Sequence, residues 1–294
     1  MTTRGWTLFI ALGVLWGMPY LLIRIAVEHI DPLVVAGSRT LIGALLLLPV
    51  ALRREALAPA FRQWKWLLAF TLIEITIPWV LLGHAETRLN SSTAGLLIAV
   101  VPLFAALIVT RLGHEHLEPR RLVGLAIGFA GVALLVGLDI HFSDLLAVGA
   151  TIVVAICYAI GPIIIDRKLQ GVPSIGVVTA SLVLATLIYA PFAPFLWPTE
   201  VTAAAVGSVI GLGVLCTAAA FLAFFALIAQ VGPARATVIT YINPAVAIVL
   251  GALVLHEPLT SGMMIGFPLV LLGSYLGTTR SRPAARPAVV EPGS

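Results

Sequence analysis

Charged residues are scarce in this sequence: Asp, Glu, Lys and Arg make up 10% of its 294 residues, whereas apolar residues make up 60%. Soluble globular domains carry about 25% charged residues, so the composition excludes a soluble protein. Cysteine is equally rare, and Cys157 and Cys216 both fall inside apolar runs. We expect two buried free thiols, which say nothing about the redox compartment. The net charge of +4 is small and gives no reason to expect a nucleic-acid partner.

Long apolar runs take the place of polar surface. A helical run of roughly 20 apolar residues crosses the hydrocarbon core of a membrane, and the mean hydropathy of the chain is +1.10. Such runs lie at residues 6–27, 32–52, 64–83, 92–111, 120–138, 144–165, 174–196, 202–228, 234–255 and 261–278. They predict an all-α polytopic membrane protein with ten transmembrane helices, surrounded by membrane lipid.

The positions of Lys and Arg predict the orientation of these helices. With a cytoplasmic N-terminus, fourteen of the 17 basic residues fall in segments on the cytoplasmic side, and only Arg88 falls in an outer loop. Cytoplasmic loops of membrane proteins are enriched in Lys and Arg. We therefore expect both termini in the cytoplasm, and a disordered tail over residues 280–294.

The sequence repeats itself at an offset of 142 residues. The matches fall on residue types that seldom coincide by chance in apolar sequence: Pro102 with Pro244, His114 with His256, Glu115 with Glu257, Gly124 with Gly266 and Gly131 with Gly273. This pattern predicts two copies of one unit, residues 1–139 and 140–279. Since each copy holds five runs, an odd number, the second copy is expected to enter the membrane inverted.

The repeated His-Glu pair is interpreted as architecture. Glu115 and Glu257 lie at the tight turn between the fourth and fifth helices of each copy, on opposite sides of the membrane. A Glu near the N-terminus of a following helix can accept exposed amide hydrogens. Neither pair is followed by the second histidine of the zinc motif H-E-x-x-H, so we expect no metal and no other cofactor.

Inverted five-helix repeats are a common plan of secondary transporters, in which substrate binds near the midplane between the repeats. Several motifs here resemble the EamA family of the drug/metabolite transporter superfamily: "LWGMPYLLIR" from Leu15, "RTLIGALLLLP" from Arg39, "HEHL" with Gly124 and Gly131, and the stretch from Gly211 to Leu259. Within that family the sequence is most similar to YddG-type amino-acid exporters of bacterial inner membranes. The resemblance implies a transporter and not an enzyme.

Charged and aromatic residues deep in the runs are candidates for substrate binding. Three charges lie within runs: Arg24 near an outer end, and Arg39 and Glu74 at similar depth. We predict that Arg39 and Glu74 interact or approach the same aqueous cavity, with a purely structural pair as the alternative. Trp16 and Tyr158 occupy equivalent mid-span positions and could stack on an apolar cargo or simply fill the core. The full set is Trp16, Tyr20, Arg39, Glu74, Pro78, Trp79, Tyr158, Tyr241 and Asn243.

Helix-breaking residues near the middle of the runs mark candidate bends. They are Gly17, Pro19, Pro102, Gly161, Pro162 and Pro244. Membrane helices tolerate such residues where the freed backbone groups face protein or a watery cavity. The duplicated prolines, Pro102 and Pro244, are the better candidates for helices that flex at a gate. A packing bend is the alternative for each.

These features together predict an inner-membrane carrier, either a monomer or an oligomer, that exports aromatic and other neutral amino acids by alternating access. A multidrug or cationic-dye exporter is the alternative, with Glu74 as its cation site. Phosphate-rich cargo would call for several buried basic residues, and the runs offer one good candidate, so such cargo is disfavoured. The ATP-binding motif G-x-x-x-x-G-K-[ST] is missing, so we do not expect this chain to drive transport with ATP. An intramembrane enzyme would need clustered His or Asp, yet the 6 histidines are dispersed. An open channel would need a continuous polar stripe, which no run carries.

Overall fold

The computed structural model describes residues 3–111, 119–231 and 237–278, and every regular element in these ranges is a helix. The ten apolar helices are numbered here in chain order: α1 Thr3–Val27, α2 Pro32–Arg53, α3 Trp64–Glu86, α4 Ser91–Arg111, α5 Pro119–Asp139, α6 Leu145–Lys168, α7 Ser174–Tyr189, α8 Ala203–Val231, α9 Asn243–Val254 and α10 Ser261–Thr278. Seven helices are long and apolar enough to cross a membrane, and α7, α9 and α10 are shorter. The expected tail lies outside the described residues, as does Glu115.

Two helices contain a π-helical segment, in which each backbone bond spans one residue more than in an α-helix. These segments are Thr71–Thr76 in α3 and Val214–Ala219 in α8. Their starts are 143 residues apart, close to the offset of the repeated motifs. Corresponding helices of the two halves therefore carry the same irregularity. Thr71–Thr76 contains no proline or glycine, so the sequence gives no sign of the π-helical segment there.

A second irregularity also recurs in both halves. The α-helical pattern of α4 is interrupted at Ala99 and Val100 and resumes at Val101. In the other half a 3-10 segment, Thr237–Tyr241, precedes the start of α9 at Asn243. Pro102 and Pro244 are each the second residue of the segment that follows, where the missing N–H of proline is tolerated. Both prolines thus start a helical segment instead of kinking a continuous helix.

The fifth helix of each half packs against the other along glycines. A Cβ at Gly124 of α5 would lie 2.9 Å from the Gly273 carbonyl oxygen of α10, and a Cβ at Gly131 would lie 2.9 Å from the Gly266 carbonyl oxygen. Only glycine allows two backbones this close, the small-residue packing typical of membrane helices. Since residue numbers rise along α5 while their partners fall along α10, the two helices run antiparallel.

The second helices of the two halves are also antiparallel neighbours. Gly37 near the start of α2 faces Tyr189 at the end of α7, and Gly176 near the start of α7 faces Ala56, just after α2. One turn from the Gly37–Tyr189 contact, the Thr186 hydroxyl donates to the Thr40 hydroxyl at 2.9 Å. Helices from the two halves therefore pack against each other across the molecule. The first helix of each half contacts the third and fourth helices of the other half: α1 packs against α8 and α9, and α6 packs against α3 and α4.

Two of the expected helix boundaries are wrong. The run 174–196 was expected to be one helix, but α7 ends at Tyr189. Pro191, Pro194 and Pro198 follow, and each removes a backbone donor that a continuing helix would need. In contrast, α3 continues past the expected end at residue 83 to Glu86, which brings one more carboxylate into the bundle.

Candidate functional site

Arg39 lies in the middle of α2, facing the interior between the two halves, and only 7% of the residue is exposed. Its guanidinium carbon stands 3.7 Å from the centre of the Trp79 ring, within the range of a cation–π interaction. Its Nε donates a hydrogen bond to the Thr217 hydroxyl at 2.9 Å. Among the described residues, no carboxylate lies within 4.0 Å of this cation.

Thr217 lies in the π-helical segment of α8, which places its hydroxyl beside the Arg39 guanidinium. The Thr217 hydroxyl donates to the Leu212 carbonyl, five residues earlier, at 2.8 Å, and so accepts from Arg39 with its lone pair. The approach of α8 depends on Gly43 of α2, one turn after Arg39, because a Cβ there would lie 2.6 Å from the Thr217 methyl group. Gly43 and the π segment together set the polar contact of Arg39.

Tyrosines complete the surroundings of Arg39. Tyr20 of α1, Tyr158 of α6 and Tyr189 of α7 all interact electrostatically with the guanidinium. The Trp79 indole N–H faces the Tyr158 hydroxyl, and the Tyr189 hydroxyl donates to the Thr76 carbonyl at 2.7 Å. The candidate site is therefore an aromatic chamber around one buried cation, built by helices from both halves.

Glu74 lies in the π segment of α3, beside α6, and its Oε2 is buried without a hydrogen-bond partner. It makes no ion pair with Arg39, so the first of the two predicted arrangements, direct interaction, is absent. Tyr158 interacts electrostatically with both Glu74 and Arg39. Their approach to one shared cavity stays a prediction.

Glu74 is accommodated by a glycine on the neighbouring helix. A Cβ at Gly161 of α6 would overlap the Glu74 carboxylate. Gly161 was considered as a bend in α6, but α6 is continuous from Leu145 to Lys168, so the glycine makes room for Glu74. Its neighbour Pro162 is exposed on the outside of the bundle.

Trp16 and Tyr158 do not face each other. Trp16 lies 4.9 Å from Phe224 and 5.9 Å from Phe221, ring centre to ring centre, whereas Tyr158 packs with the cluster that contains Trp79. Phe221 packs against that same cluster and so connects the two regions. The 142-residue offset predicted that Trp16 and Tyr158 lie at similar depth, but it could not predict which side chains pack against each of them.

The remaining candidates lie around the junction of α1 and α9. A Cβ at Gly17 would lie 2.9 Å from the Asn243 carbonyl oxygen, so Gly17 is a close-approach position. The Asn243 Oδ1 is buried without a partner, while the Tyr241 hydroxyl donates to the Ser274 carbonyl at 3.3 Å. Pro19 is buried within the continuous helix α1, and Pro78 is buried in the first turn after the π segment of α3.

A groove of about 440 Å³ opens at the ends of α2, α7 and α8 that the charge pattern assigns to the cytoplasmic side. Arg54, Ser174 and Ile228 lie along it. Ile175 and Phe225 also line it, and both pack in the cluster around Trp79. Ile175 and Phe225 therefore link the lining of the groove to the packed residues around Trp79.

The opposite end of the bundle is tightly packed. All the residues from Ser91 to Leu97 at the start of α4 are buried. Glu257, in the connection between α9 and α10, accepts the backbone hydrogens of Ser91 at 2.8 Å and Ser92 at 3.0 Å. The amide-accepting role expected for Glu257 is present, but it serves α4 of the other half and not the helix that follows.

The helix that follows Glu257 has a different cap. Asp139, at the end of α5, accepts the backbone hydrogen of Gly262 at 3.2 Å and the hydroxyl hydrogen of Thr260. Glu86, the last residue of α3, is fully buried and was not among the candidates predicted from the sequence. The signal for Glu86 was its position three residues past an apolar run. In the described part of the chain, no three His, Cys, Asp or Glu side chains gather as metal ligands would.

Comparison with known proteins agrees with this architecture. The model of the EamA-like transporter family matches residues 3–137 and again residues 145–279. The chain therefore belongs to the EamA-like transporter family and is a multi-pass membrane transporter.

Similar proteins in other organisms carry transporter names. YvbV of Bacillus subtilis, described as an uncharacterized transporter, is 30% identical over 95% of this chain and 93% of its own. YedA of Escherichia coli K12, an uncharacterized inner membrane transporter, is 29% identical over 97% of this chain and 95% of its own. A crystal structure at 18% identity matches with a TM-score of 0.68 over 95% of this chain and 98% of that chain, which supports the fold alone.

Proposed function

We propose that all ten apolar helices cross a bacterial inner membrane as two inverted five-helix repeats, residues 1–139 and 140–279, with cytoplasmic termini. The antiparallel course of α5 and α10 supports inversion, because these are equivalent helices. The hydrogen bonds of Glu257 to Ser91 and Ser92 support it too. They join the α9–α10 connection to the α3–α4 connection, and these two connections share a membrane side only if one repeat is inverted.

We further propose that the protein exports neutral and aromatic amino acids by alternating access. The observation that carries this proposal is the buried guanidinium of Arg39, which lies on the Trp79 ring with no carboxylate within 4.0 Å among the described residues. A buried Arg without an anion is costly in a membrane. A substrate carboxylate would supply the missing charge, and bidentate geometry suits Arg for that role.

Glu74 supplies the complementary group for an amino acid. Its Oε2 is buried without a hydrogen-bond partner, and Tyr158 interacts electrostatically with both Glu74 and Arg39. A zwitterion could place its carboxylate at Arg39 and its ammonium toward Glu74, so that both buried charges gain a partner at once. Trp79, Tyr158 and Tyr20 would then contact an apolar or aromatic side chain.

The two ends of the bundle differ as alternating access requires. The groove beside Phe225 opens toward the cytoplasm, whereas the outer end is sealed by the buried start of α4. Pro102 and Pro244 follow interruptions in α4 and α9, and such interruptions let a helix change direction. In this proposal, the described conformation faces the cytoplasm and accepts cargo there.

The test is uptake of a panel of labelled amino acids into proteoliposomes, with and without a pH gradient. We expect neutral and aromatic amino acids to be transported and phosphorylated compounds to be excluded. Arg39→Gln should abolish uptake, whereas Arg53→Gln, an exposed residue at the end of the same helix, should leave it intact. Uptake that survives Arg39→Gln in a well-folded protein would exclude the carboxylate role.

The unpartnered carboxylate of Glu74 also favours a second candidate, an exporter of cationic compounds. Such a cargo would need Glu74 but not Arg39. Competition separates the two functions: free amino acids should block uptake of a cationic dye only if both bind the same chamber. A protein that moves the dye, ignores amino acids and loses activity in Glu74→Gln would be a cation exporter.

A further inference from the structure

Glu86 is a buried carboxylate that the proposed substrate site does not use. It ends α3 at the outer end of the bundle, it is 0% exposed, and neither of its carboxylate oxygens has a hydrogen-bond partner. Arg24 of α1 donates to the backbone carbonyl of Glu86 at 2.8 Å and not to its carboxylate. Its other nitrogen lies 3.9 Å from Glu28. The Glu86 side chain is therefore left without a charge-neutralising partner.

A second carboxylate reaches the same place from the other half. Glu257 interacts electrostatically with Glu86, and its own oxygens accept hydrogen bonds from Ser91 and Ser92, including a short one from the Ser92 hydroxyl. Those donors suit an ionised carboxylate at a helix N-terminus. The Ser91 hydroxyl, also buried, has no partner of its own. We call Glu257, Ser91 and Ser92 the outer cap.

The backbone of the α9–α10 connection directs the Glu257 side chain toward Ser91 and Ser92. His256 adopts a left-handed conformation with φ of 56°, so the chain turns sharply after α9. The Gly251 carbonyl accepts the backbone hydrogens of both Leu255 and Glu257 at 3.1 Å. A Cβ on Gly251 would collide with Glu257 and with the Ser92 hydroxyl. The cap therefore forms only when α9 and α4 are in close contact.

Two like charges cannot both be ionised in this setting at low cost. A buried ionised carboxylate without compensating hydrogen bonds is unfavourable, and a neighbouring carboxylate makes it more so. The charged or titratable groups that face Glu86 are Glu257, Arg24, Arg39 and Tyr20. Because Glu86 is fully buried and neither of its carboxylate oxygens has a hydrogen-bond partner of normal geometry, a bound proton is the simplest way to neutralise it while the outer end is closed.

We propose that Glu86 is a proton-binding site coupled to closure of the outer end. The proton is bound when Ser91 to Leu97 are packed, and it is released when the outer cap opens and water solvates the carboxylate. Closing therefore takes up one proton, so acid outside the cell favours the closed outer end and alkaline solution favours the open one. The population ratio changes by at most about tenfold per pH unit, the limit for one proton.

The proton site belongs to the outer end alone. At the offset of 142 residues, Glu86, Ser91 and Ser92 correspond to Ile228, Pro233 and Ala234. None of these side chains can titrate, and none has a hydroxyl group. The repeat therefore predicts an inner end whose closure does not depend on pH through these positions.

The inference goes beyond the proposed function, and its test needs no substrate. A reporter cysteine, Thr93→Cys, is placed in the buried start of α4, where Thr93 is 3% exposed. The full-length protein in liposomes is treated with a membrane-impermeant maleimide from the outside at pH 6 and pH 8, and labelling is quantified by peptide mass spectrometry. Glu200→Cys, in the exposed outer segment before α8, corrects for thiol reactivity.

We expect corrected labelling of the reporter to rise from pH 6 to pH 8, and Glu86→Gln to hold it low at both. Glu28→Gln, an exposed Glu near the same end, should retain the pH response, and Glu257→Gln should raise labelling at both values by breaking the cap. An unchanged pH response in Glu86→Gln, or no response in the parent protein, would overturn the proposal. So would a response that follows Na⁺ at constant pH. The amino-acid uptake panel tests the proposed function separately.

Discussion

Gly161 of α6 and Glu74 of α3 are in direct contact: a Cβ at Gly161 would lie 2.8 Å from the Glu74 carboxyl carbon and overlap its oxygen. The contact joins the third helix of one half to the first helix of the other. It also fixes where the buried carboxylate can point, because α6 forms the wall beside it. A glycine at this position is therefore a determinant of the candidate site.

Gly161→Ala should destabilise the protein by about 1–3 kcal/mol, the usual cost of overpacking, and should impair any transport that uses Glu74. Gly149→Ala in the same helix is the control, because nothing lies within 4 Å of a Cβ there. Thermal unfolding of purified protein measures both. In a Glu74→Ala background the penalty of Gly161→Ala should shrink; a penalty of the same size would refute the contact as its cause.

Trp79→Leu should destabilise the fold by about 1–2 kcal/mol, because the buried Arg39 guanidinium loses the ring beneath it. Trp66→Leu is the comparison: Trp66 is 40% exposed and pairs with Lys168 at 4.7 Å, at the end of the bundle that the charge pattern assigns to the cytoplasm. That exposed pair should contribute less than half as much. Thermal denaturation of the two variants measures the loss of stability in each. Equal losses of stability would argue against a special role for the Arg39–Trp79 pair.

Gly131→Val should disrupt the seam between α5 and α10, since backbone atoms of α10 lie within 3.0 Å of a Cβ there. Gly137→Val on the same helix faces open space and should be tolerated. We expect a drop in melting temperature of several degrees for Gly131→Val alone, in line with a loss of about 1–3 kcal/mol. If both variants melted together, close backbone packing would not be what holds the fifth helices.

A cysteine at Ile228, in the groove at the end of α8, should react with an impermeant maleimide applied to inside-out vesicles. Leu212→Cys, in the same helix but 0% exposed, should stay unlabelled. The pair tests both the groove and the membrane orientation of α8. Labelling of Ile228→Cys only in right-side-out vesicles would reverse the proposed orientation.

The helical membrane architecture was predictable because it follows from composition and run length. The duplicated Pro, Gly and Glu residues also predicted that equivalent positions would have related roles, and Glu257 accepts amide hydrogens as expected. Its partner was not predictable, because Ser91 is 166 residues away. Contacts between halves depend on how the helices cross, which periodicity within one helix does not encode.

The candidate site shows the same limit. Arg39 and Glu74 were recognisable because a charge inside an apolar run is rare. Their placement without a mutual ion pair depends on π segments that have no marker in the sequence. Glu86 was missed for a simpler reason: the expected third helix stopped at residue 83, and the structure continues it by three residues.

The glycine contacts between α5 and α10 form a self-complementary patch. Gly124 meets Gly273, the counterpart of Gly131, and Gly131 meets Gly266, the counterpart of Gly124. A lone five-helix unit with this patch already has the surface needed to bind an upside-down twin. The connection between α5 and α6 adds covalent linkage to a pairing that two separate chains could form unaided.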